Sequence, residues 1–173
     1  MSASVVLAGG CFWGVEAVFE HLRGVESVTS GYARDGRATL PTDVEAVRVV
    51  YDPARISHAQ LLEVFFTVAH DPTQRDRQGP DRGPEYRGVV FYGGPEERRA
   101  AHEFMTRIEA GRRFPGPIVT ELLDLGEFRV AEPFHQNYAA RNPRDPYIVR
   151  NDLPKLERLK QAFSSLFQEA RVP

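Results

Sequence analysis

The pattern that most restricts the fold lies within the first 24 residues. The run "SVVLAGG" is short, apolar and rich in β-branched residues, and its two glycines are typical of a strand that ends in a tight turn. From Trp13 onward apolar residues recur at helical spacing until Gly24, which predicts a helix. Cys11, the only cysteine among 173 residues, then lies on the turn ahead of the helix.

The later segments extend this pattern. Their order is β-α-β-β-α-β, followed by a helix, a strand and a C-terminal helix, which predicts an α+β fold with a ferredoxin-like (split βαβ) core, an additional C-terminal helix and long loops. The predicted elements after the first helix are strands at 25–33 and 44–52, a helix at 57–69, a strand at 89–92, a helix from Pro95 to Gly111, one or two strands in 118–131 and a helix from Pro154.

Length and charge exclude several classes of protein. We expect residues 1–173 to form one catalytic domain, because the chain is too short for two ordinary cores. The 24 acidic and 22 basic residues nearly cancel, so neither a nucleic acid nor a membrane surface is expected as a partner. The absence of a signal sequence and of a membrane-spanning run predicts a cytoplasmic location. The five histidines lack metal-ligand spacing, so no metal is implied. No organic cofactor is expected either.

Two interpretations of Cys11 follow from its position. A lone free cysteine is often a small buried hydrophobic residue. At a helix N-terminus, however, unsatisfied N–H groups and the positive end of the helix dipole stabilise a thiolate, which favours a nucleophile near neutral pH. The paired glycines would let a substrate approach the backbone, and Phe12 and Trp13 either anchor the helix or form an apolar pocket beside the sulfur.

Three further residues have both a structural and a functional interpretation. Glu45 stands at the head of a predicted strand, where it is a solvated edge residue or a buried acid. The segment 70–88 has no apolar period, and a loop of this length in a compact domain is usually functional. Within this segment, Asp81 is either a turn residue or a ligand-binding group, and Tyr86 is either a half-buried packing residue or a ligand-binding group.

The string "GGCFWG" resembles the active-site signature of the type A peptide methionine sulfoxide reductases. The resemblance covers most of the chain, because further segments resemble the family in the same order. These segments are "GVESVTSGYA", "EAVRVVYDP", "HDPTQRDRQGPDRGPEYRGVVFY" and "AEPFHQNYAARNPRDPYIVRNDLPKLERL".

The resemblance implies a role for each candidate residue. Cys11 would attack the sulfoxide sulfur, while Glu45, kept neutral by burial, would protonate the oxygen. Asp81 and Tyr86 would hydrogen-bond that oxygen, and Phe12 and Trp13 would hold the methyl group. The implied activity is reduction of the S-epimer of methionine sulfoxide, free or in proteins.

The chain departs from the family pattern in two places. Only "RDGRATLPTDVE" separates "GYA" from Glu45, so a tyrosine that contacts the sulfoxide oxygen in many members has no counterpart. A second cysteine is also missing, so we expect an external thiol to reduce the sulfenic acid: thioredoxin, glutaredoxin with glutathione, or another small thiol. The alternatives are a reductase of another small alkyl sulfoxide and a weakly active paralogue that acts as a redox sensor or a binding protein.

Overall fold

The computed structural model describes residues 1–169, in which helices surround a closed sheet of five strands. Helix α2 continues into a wider π-helical turn at Phe65–Ala69, and a second such turn at Ile148–Asp152 leads into α5. The elements are β1 (Ala3–Ala8), α1 (Phe12–Glu20), β2 (Val25–Asp35), β3 (Val44–Tyr51), α2 (His58–Val64), β4 (Arg77–Gln78), β5 (Asp81–Arg82), β6 (Val89–Tyr92), α3 (Pro95–Ala110), β7 (Glu121–Val130), α4 (Tyr138–Arg141) and α5 (Leu153–Ala162).

The closed sheet has the strand order β1-β3-β2-β7-β6, with β6 pairing back to β1. All pairs are antiparallel except β6 with β7. The predicted mixed α and β class is confirmed, whereas the ferredoxin-like description stays a prediction for β1, β2, β3 and β6. Closure by β7 was not expected, because periodicity identifies a strand but not the two neighbours with which it pairs.

Successive residues of β1 face two separate apolar clusters. Val5 and Leu7 belong to the larger cluster, which the helices cover, and Val6 and Ala8 belong to a smaller cluster that includes Ala33 of β2. Both faces of the strand are therefore buried, which explains why its sequence is a continuous apolar run rather than an alternating one.

The two glycines after β1 are required by a neighbouring loop. Gly10 has φ +90°, and a Cβ atom built on it would lie 2.5 Å from Cβ of Gln78. A Cβ atom on Gly9 would lie 2.8 Å from Cβ of His70. Side chains of the loop 70–88 therefore occupy the space that a Cβ atom would need at either glycine.

The long loop is anchored at its first residue and folds back toward α1. His70 is buried, and its Nδ1 and Nε2 atoms contact the Phe65 carbonyl at 2.9 Å and the Thr120 hydroxyl at 2.8 Å. Strands β4 and β5 form a hairpin whose Gln78 side chain exchanges hydrogen bonds with the backbone of Asp71. Along residues 1–169, no helix has the length and apolar character needed to cross a membrane.

Candidate active site

Cys11 caps the N-terminus of α1, as the sequence predicts, but its thiol is not acidic. Its side chain is half-buried, and burial followed by the charge of Glu45 raises the pKa of the thiol to about 12. A hydrogen bond with the Trp13 backbone and one with the Tyr147 side chain oppose this shift. The prediction of a thiolate near neutral pH is therefore wrong for the ligand-free protein, because desolvation and a neighbouring carboxylate outweigh the helix N-terminus.

Glu45 is the second residue of β3 and faces the start of α1. Its Oε1 atom accepts a hydrogen bond of 3.1 Å from the Phe12 backbone N–H, one residue beyond the thiol. Burial and the charges of Asp81 and Glu85 raise the pKa of this carboxyl to about 7, although the Phe12 N–H opposes the shift. The group is half-buried and can hold a proton at neutral pH, as an acid catalyst must.

The other two predicted loop residues lie on the same side. Asp81 begins β5, and Tyr86 ends the short 3₁₀ turn Pro84–Tyr86. Burial and then the charges of Glu45 and Asp81 raise the pKa of Tyr86 to about 12, and the charge of Cys11 acts on it as well. The hydroxyl of Tyr86 is therefore a neutral donor that faces the other candidate groups.

Phe12 and Trp13 differ in their surroundings. Phe12 is only 2% exposed and belongs to the main apolar core, and its ring packs on Tyr32 and His135 at centroid distances of 5.5 and 5.0 Å. Trp13 is half-buried, stacks on Tyr138 at 3.8 Å and donates a hydrogen bond of 3.1 Å from Nε1 to Nδ1 of His135. Trp13 thus has the greater exposed surface for a ligand.

Tyr147 is a site residue that the sequence analysis missed. Its hydroxyl donates a short hydrogen bond to Oδ2 of Asp81 and contacts the Cys11 thiol, while its ring meets Trp13 edge-on at 5.7 Å. Burial and the neighbouring Cys11 raise the pKa of this phenol, so it remains a donor at physiological pH. Tyr147 therefore links the sulfur to the long loop.

The C-terminal helical segment supplies two more charged groups near the sulfur. Asp152 is 1% exposed, and neither carboxyl oxygen has a hydrogen-bond partner among residues 1–169. Burial raises the pKa of Asp152 to about 6, although the charge of Lys155 opposes this, and burial lowers the pKa of Lys155. Both side chains lie against Gly14 of α1, where an added Cβ atom would be 3.2 Å from Nζ of Lys155.

One signal in the sequence does point to this segment. Tyr147, Asn151, Lys155 and Arg158 are spaced four, four and three residues apart and share one helical face. All four line a cleft of about 400 Å³ that opens onto Cys11. Polar residues in register on a helix that buries its opposite face indicate a binding surface.

The thiol, the protonatable carboxyl and the neutral tyrosines define a class of protein. A cysteine sulfur can accept an oxygen atom while a nearby acid protonates that oxygen, and no group of His, Cys, Asp or Glu in residues 1–169 is arranged to hold a metal ion. Such a combination of groups is typical of an oxidoreductase that acts on sulfur.

Comparison with known proteins identifies the family. Residues 3–166 match the family model described as peptide methionine sulfoxide reductase, and the chain belongs to that family. It is 44% identical to peptide methionine sulfoxide reductase MsrA 2 of Synechocystis, over 92% of this chain and 78% of the relative. It is 45% identical to MsrA of Natronomonas pharaonis, over 95% and 97% of the two chains. Methionine sulfoxide reductase A of Corynebacterium diphtheriae has a similar structure, with a TM-score of 0.72, 32% identity and coverage of 83% and 76%.

The family and the predicted reductase activity are confirmed by these comparisons. The roles that the resemblance gives to Cys11, Glu45, Asp81, Tyr86 and the two aromatic residues of "CFW" are not tested by them. The geometry does bring the first four together, and it adds Tyr147 to them.

Proposed function

We propose that this chain reduces the S-epimer of methionine sulfoxide, free or in proteins, through Cys11 and Glu45. The sulfoxide sulfur meets the Cys11 thiol, its oxygen faces the Glu45 carboxyl and the hydroxyl of Tyr86, and its methyl group contacts Trp13. Phe12 supports this arrangement mainly as part of the core. The cytoplasmic location and the organisation as one domain stay predictions.

The reaction balances without a metal or an organic cofactor. The Cys11 sulfur forms a bond to the sulfoxide sulfur, Glu45 gives its proton to the oxygen, and the thiol proton replaces it on Glu45. Transfer of the oxygen then gives a thioether and a Cys11 sulfenic acid, so Cys11 is oxidised by two electrons and the substrate is reduced by two. Two external thiols return the enzyme to its starting state and release the oxygen as water.

The contact between Glu45 and the first turn of α1 is the observation that carries this proposal. The hydrogen bond from the Phe12 N–H fixes the carboxyl next to the residue that bears the thiol. Burial keeps a proton on the carboxyl up to a pH of about 7, since its pKa is raised to about 7. An acid placed in this way lowers the barrier to loss of the sulfoxide oxygen, which is otherwise a poor leaving group.

Mass spectrometry of a peptide that contains methionine sulfoxide tests the proposal directly. Incubation with the protein and dithiothreitol should remove one oxygen from the S-epimer and leave the R-epimer intact. Cys11→Ser should abolish the loss, and dimedone added after one turnover without reductant should label Cys11. If the wild-type protein reduced dimethyl sulfoxide but not the peptide, the activity would be that of a small alkyl sulfoxide reductase instead.

A further inference from the structure

The cleft lined by Tyr147, Asn151, Lys155 and Arg158 borders Cys11. Of the residues placed around the sulfoxide, only Asp81 and Cys11 itself line this cleft; Trp13, Glu45 and Tyr86 do not. The cleft therefore borders the cysteine without including the tryptophan, the acid or the tyrosine donor of the proposed reductive step. The volume of about 400 Å³ falls within the range of small-molecule sites.

Two cations of this cleft have no partner within the described part of the chain. Lys155 and Arg158 both line it, and neither forms an ion pair or donates a hydrogen bond to any residue between 1 and 169. The charge of Asp152 acts on Lys155, but the two groups form no ion pair. Burial lowers the pKa of Lys155, and the charges of Asp152, Cys11 and Asp81 offset this effect only in part.

The anions that line the cleft are already engaged elsewhere. Asp81 accepts the hydroxyl of Tyr147, and Asp71 accepts hydrogen bonds of 2.9 and 2.6 Å from the backbone and side chain of Thr73. The cleft thus offers two unpaired cations to a ligand next to the one sulfur atom that must be reduced. A ligand that bears carboxylates would form ion pairs with both cations.

We propose that this cleft binds a small thiol that carries carboxylates, as glutathione does, and delivers its sulfur to oxidised Cys11. Lys155 and Arg158 hold the carboxylates, and the thiol reaches the sulfenic acid through this cleft. This inference rests on the proposed function, because it assigns the reductant of the same cycle. It also explains how a chain with one cysteine completes turnover without an internal disulfide.

The atoms and electrons balance in two steps. The first thiol attacks the sulfenic sulfur, a sulfur–sulfur bond forms, and the sulfur–oxygen bond breaks to release water that carries the thiol proton. A second thiol then attacks the mixed disulfide, which releases the symmetrical disulfide and restores Cys11–SH. The two thiols supply the two electrons that Cys11 lost to the sulfoxide.

The test compares a charged thiol with neutral thiols on matched variants. Cys11 sulfenic acid is generated with methionine sulfoxide or, separately, with hydrogen peroxide. Glutathione or 2-mercaptoethanol is then added, and the rate of mixed-disulfide formation is measured by intact-mass spectrometry. Lys155→Met and the exposed Arg158→Gln should slow glutathione about tenfold, which is about 1.4 kcal/mol, and leave 2-mercaptoethanol within about twofold. Lys160→Met, on the same helix but outside the cleft, should leave both thiols unchanged.

Several outcomes would overturn the inference. If both variants slowed mixed-disulfide formation equally with glutathione and with 2-mercaptoethanol, the effect would be a general one on Cys11. If the rate with glutathione were unchanged, Lys155 and Arg158 would not bind its carboxylates. If the variants slowed reduction of oxidised Cys11 by thioredoxin but not by glutathione, these cations would belong to a site for a protein reductant. Failure of the proposed function gives a different result, since methionine sulfoxide would then yield no sulfenic acid while peroxide still would, and the comparison of thiols would remain possible.

Discussion

Replacement of Glu45 by glutamine tests the proton donor with little change of shape. The glutamine Oε1 atom can still accept the hydrogen bond from the Phe12 N–H, which is 3.1 Å long in the wild-type structure. The side chain loses its acidic proton and its charge. Any loss of activity therefore reports on proton transfer rather than on the position of α1.

The expected loss follows from the pKa of the carboxyl. Because burial raises the pKa of Glu45 to about 7, the protonated acid predominates below that pH and declines about tenfold per unit above it. The single-turnover rate of wild-type sulfoxide reduction should fall in the same way between pH 7 and 9. Glu45→Gln should be slower by about a hundredfold to ten-thousandfold, which is the usual contribution of a general acid. Its rate should not fall between pH 7 and 9.

The same carboxyl should leave a signature in stability. A shift from 4.5 to about 7 corresponds to about 3 kcal/mol between the two protonation states. Since the folded pKa lies above the unfolded one, the contribution of Glu45 to stability is fully present below pH 4.5 and is lost as the pH rises through 7. Glu45→Gln does not ionise, so at pH 8 it should be more stable than the wild type by up to about 3 kcal/mol, with the gap closing near pH 4.

Rapid-quench turnover and urea unfolding at several pH values measure both effects. Glu85→Gln is the matched control, because Glu85 raises the pKa of Glu45 without being part of the proposed chemistry. In Glu85→Gln the single-turnover rate should begin to fall at a lower pH, and its maximum value at low pH should be unchanged. A Glu45→Gln enzyme that retains the wild-type rate and its pH dependence would refute Glu45 as the acid.

Three other predictions concern the surroundings of the sulfur. Tyr147→Phe removes a hydroxyl that contacts the Cys11 thiol and should slow single-turnover reduction about a hundredfold with little effect on urea unfolding; an unchanged rate would limit the phenol to packing. Gly14→Ala forces a methyl group against the carboxyl of Asp152 and should lower the free energy of unfolding by about 2 kcal/mol. Gly94→Ala is the control and should change this free energy very little, because a Cβ atom at Gly94 meets nothing within 4 Å. Because burial and Glu45 raise the pKa of Cys11 to about 12, alkylation by iodoacetamide should still accelerate above pH 9, and a plateau near pH 7 would contradict this.

The sequence predicts the local elements well and their long-range pairing poorly. The capping box at Ser57 and Gln60 is present with both of its hydrogen bonds, and the third helix runs from Pro95 to Ala110 as expected. These features depend on residues a few positions apart. Closure of the sheet by β7 depends instead on pairing with two strands distant in sequence, which hydrophobic periodicity does not encode.

The same distinction applies to the site. Cys11 was identified from its position ahead of a helix, whereas the roles of Glu45, Asp81 and Tyr86 came from a family resemblance, and nothing in their separation along the chain brings them together. Tyr147 was missed because no local pattern around it distinguishes a tyrosine that contacts a ligand from one that packs. Its contact with Cys11 exists because the C-terminal segment returns over α1, with the Arg23 N–H bonded to the Leu166 carbonyl at 2.7 Å.

The raised pKa of Cys11 is consistent with catalysis once both protons are considered together. At rest the thiol is neutral, and Glu45 holds a proton up to about pH 7, so neither of the two reacting groups is a buried charge. As the sulfur attacks, the Glu45 proton passes to the sulfoxide oxygen and the thiol proton replaces it, so the site is neutral again at the sulfenic acid. A fixed cation beside the thiol would give a more acidic cysteine but would supply no proton to the oxygen. A carboxyl that gives its proton to the oxygen and takes up the thiol proton in exchange therefore suits this reaction better than an activated thiolate.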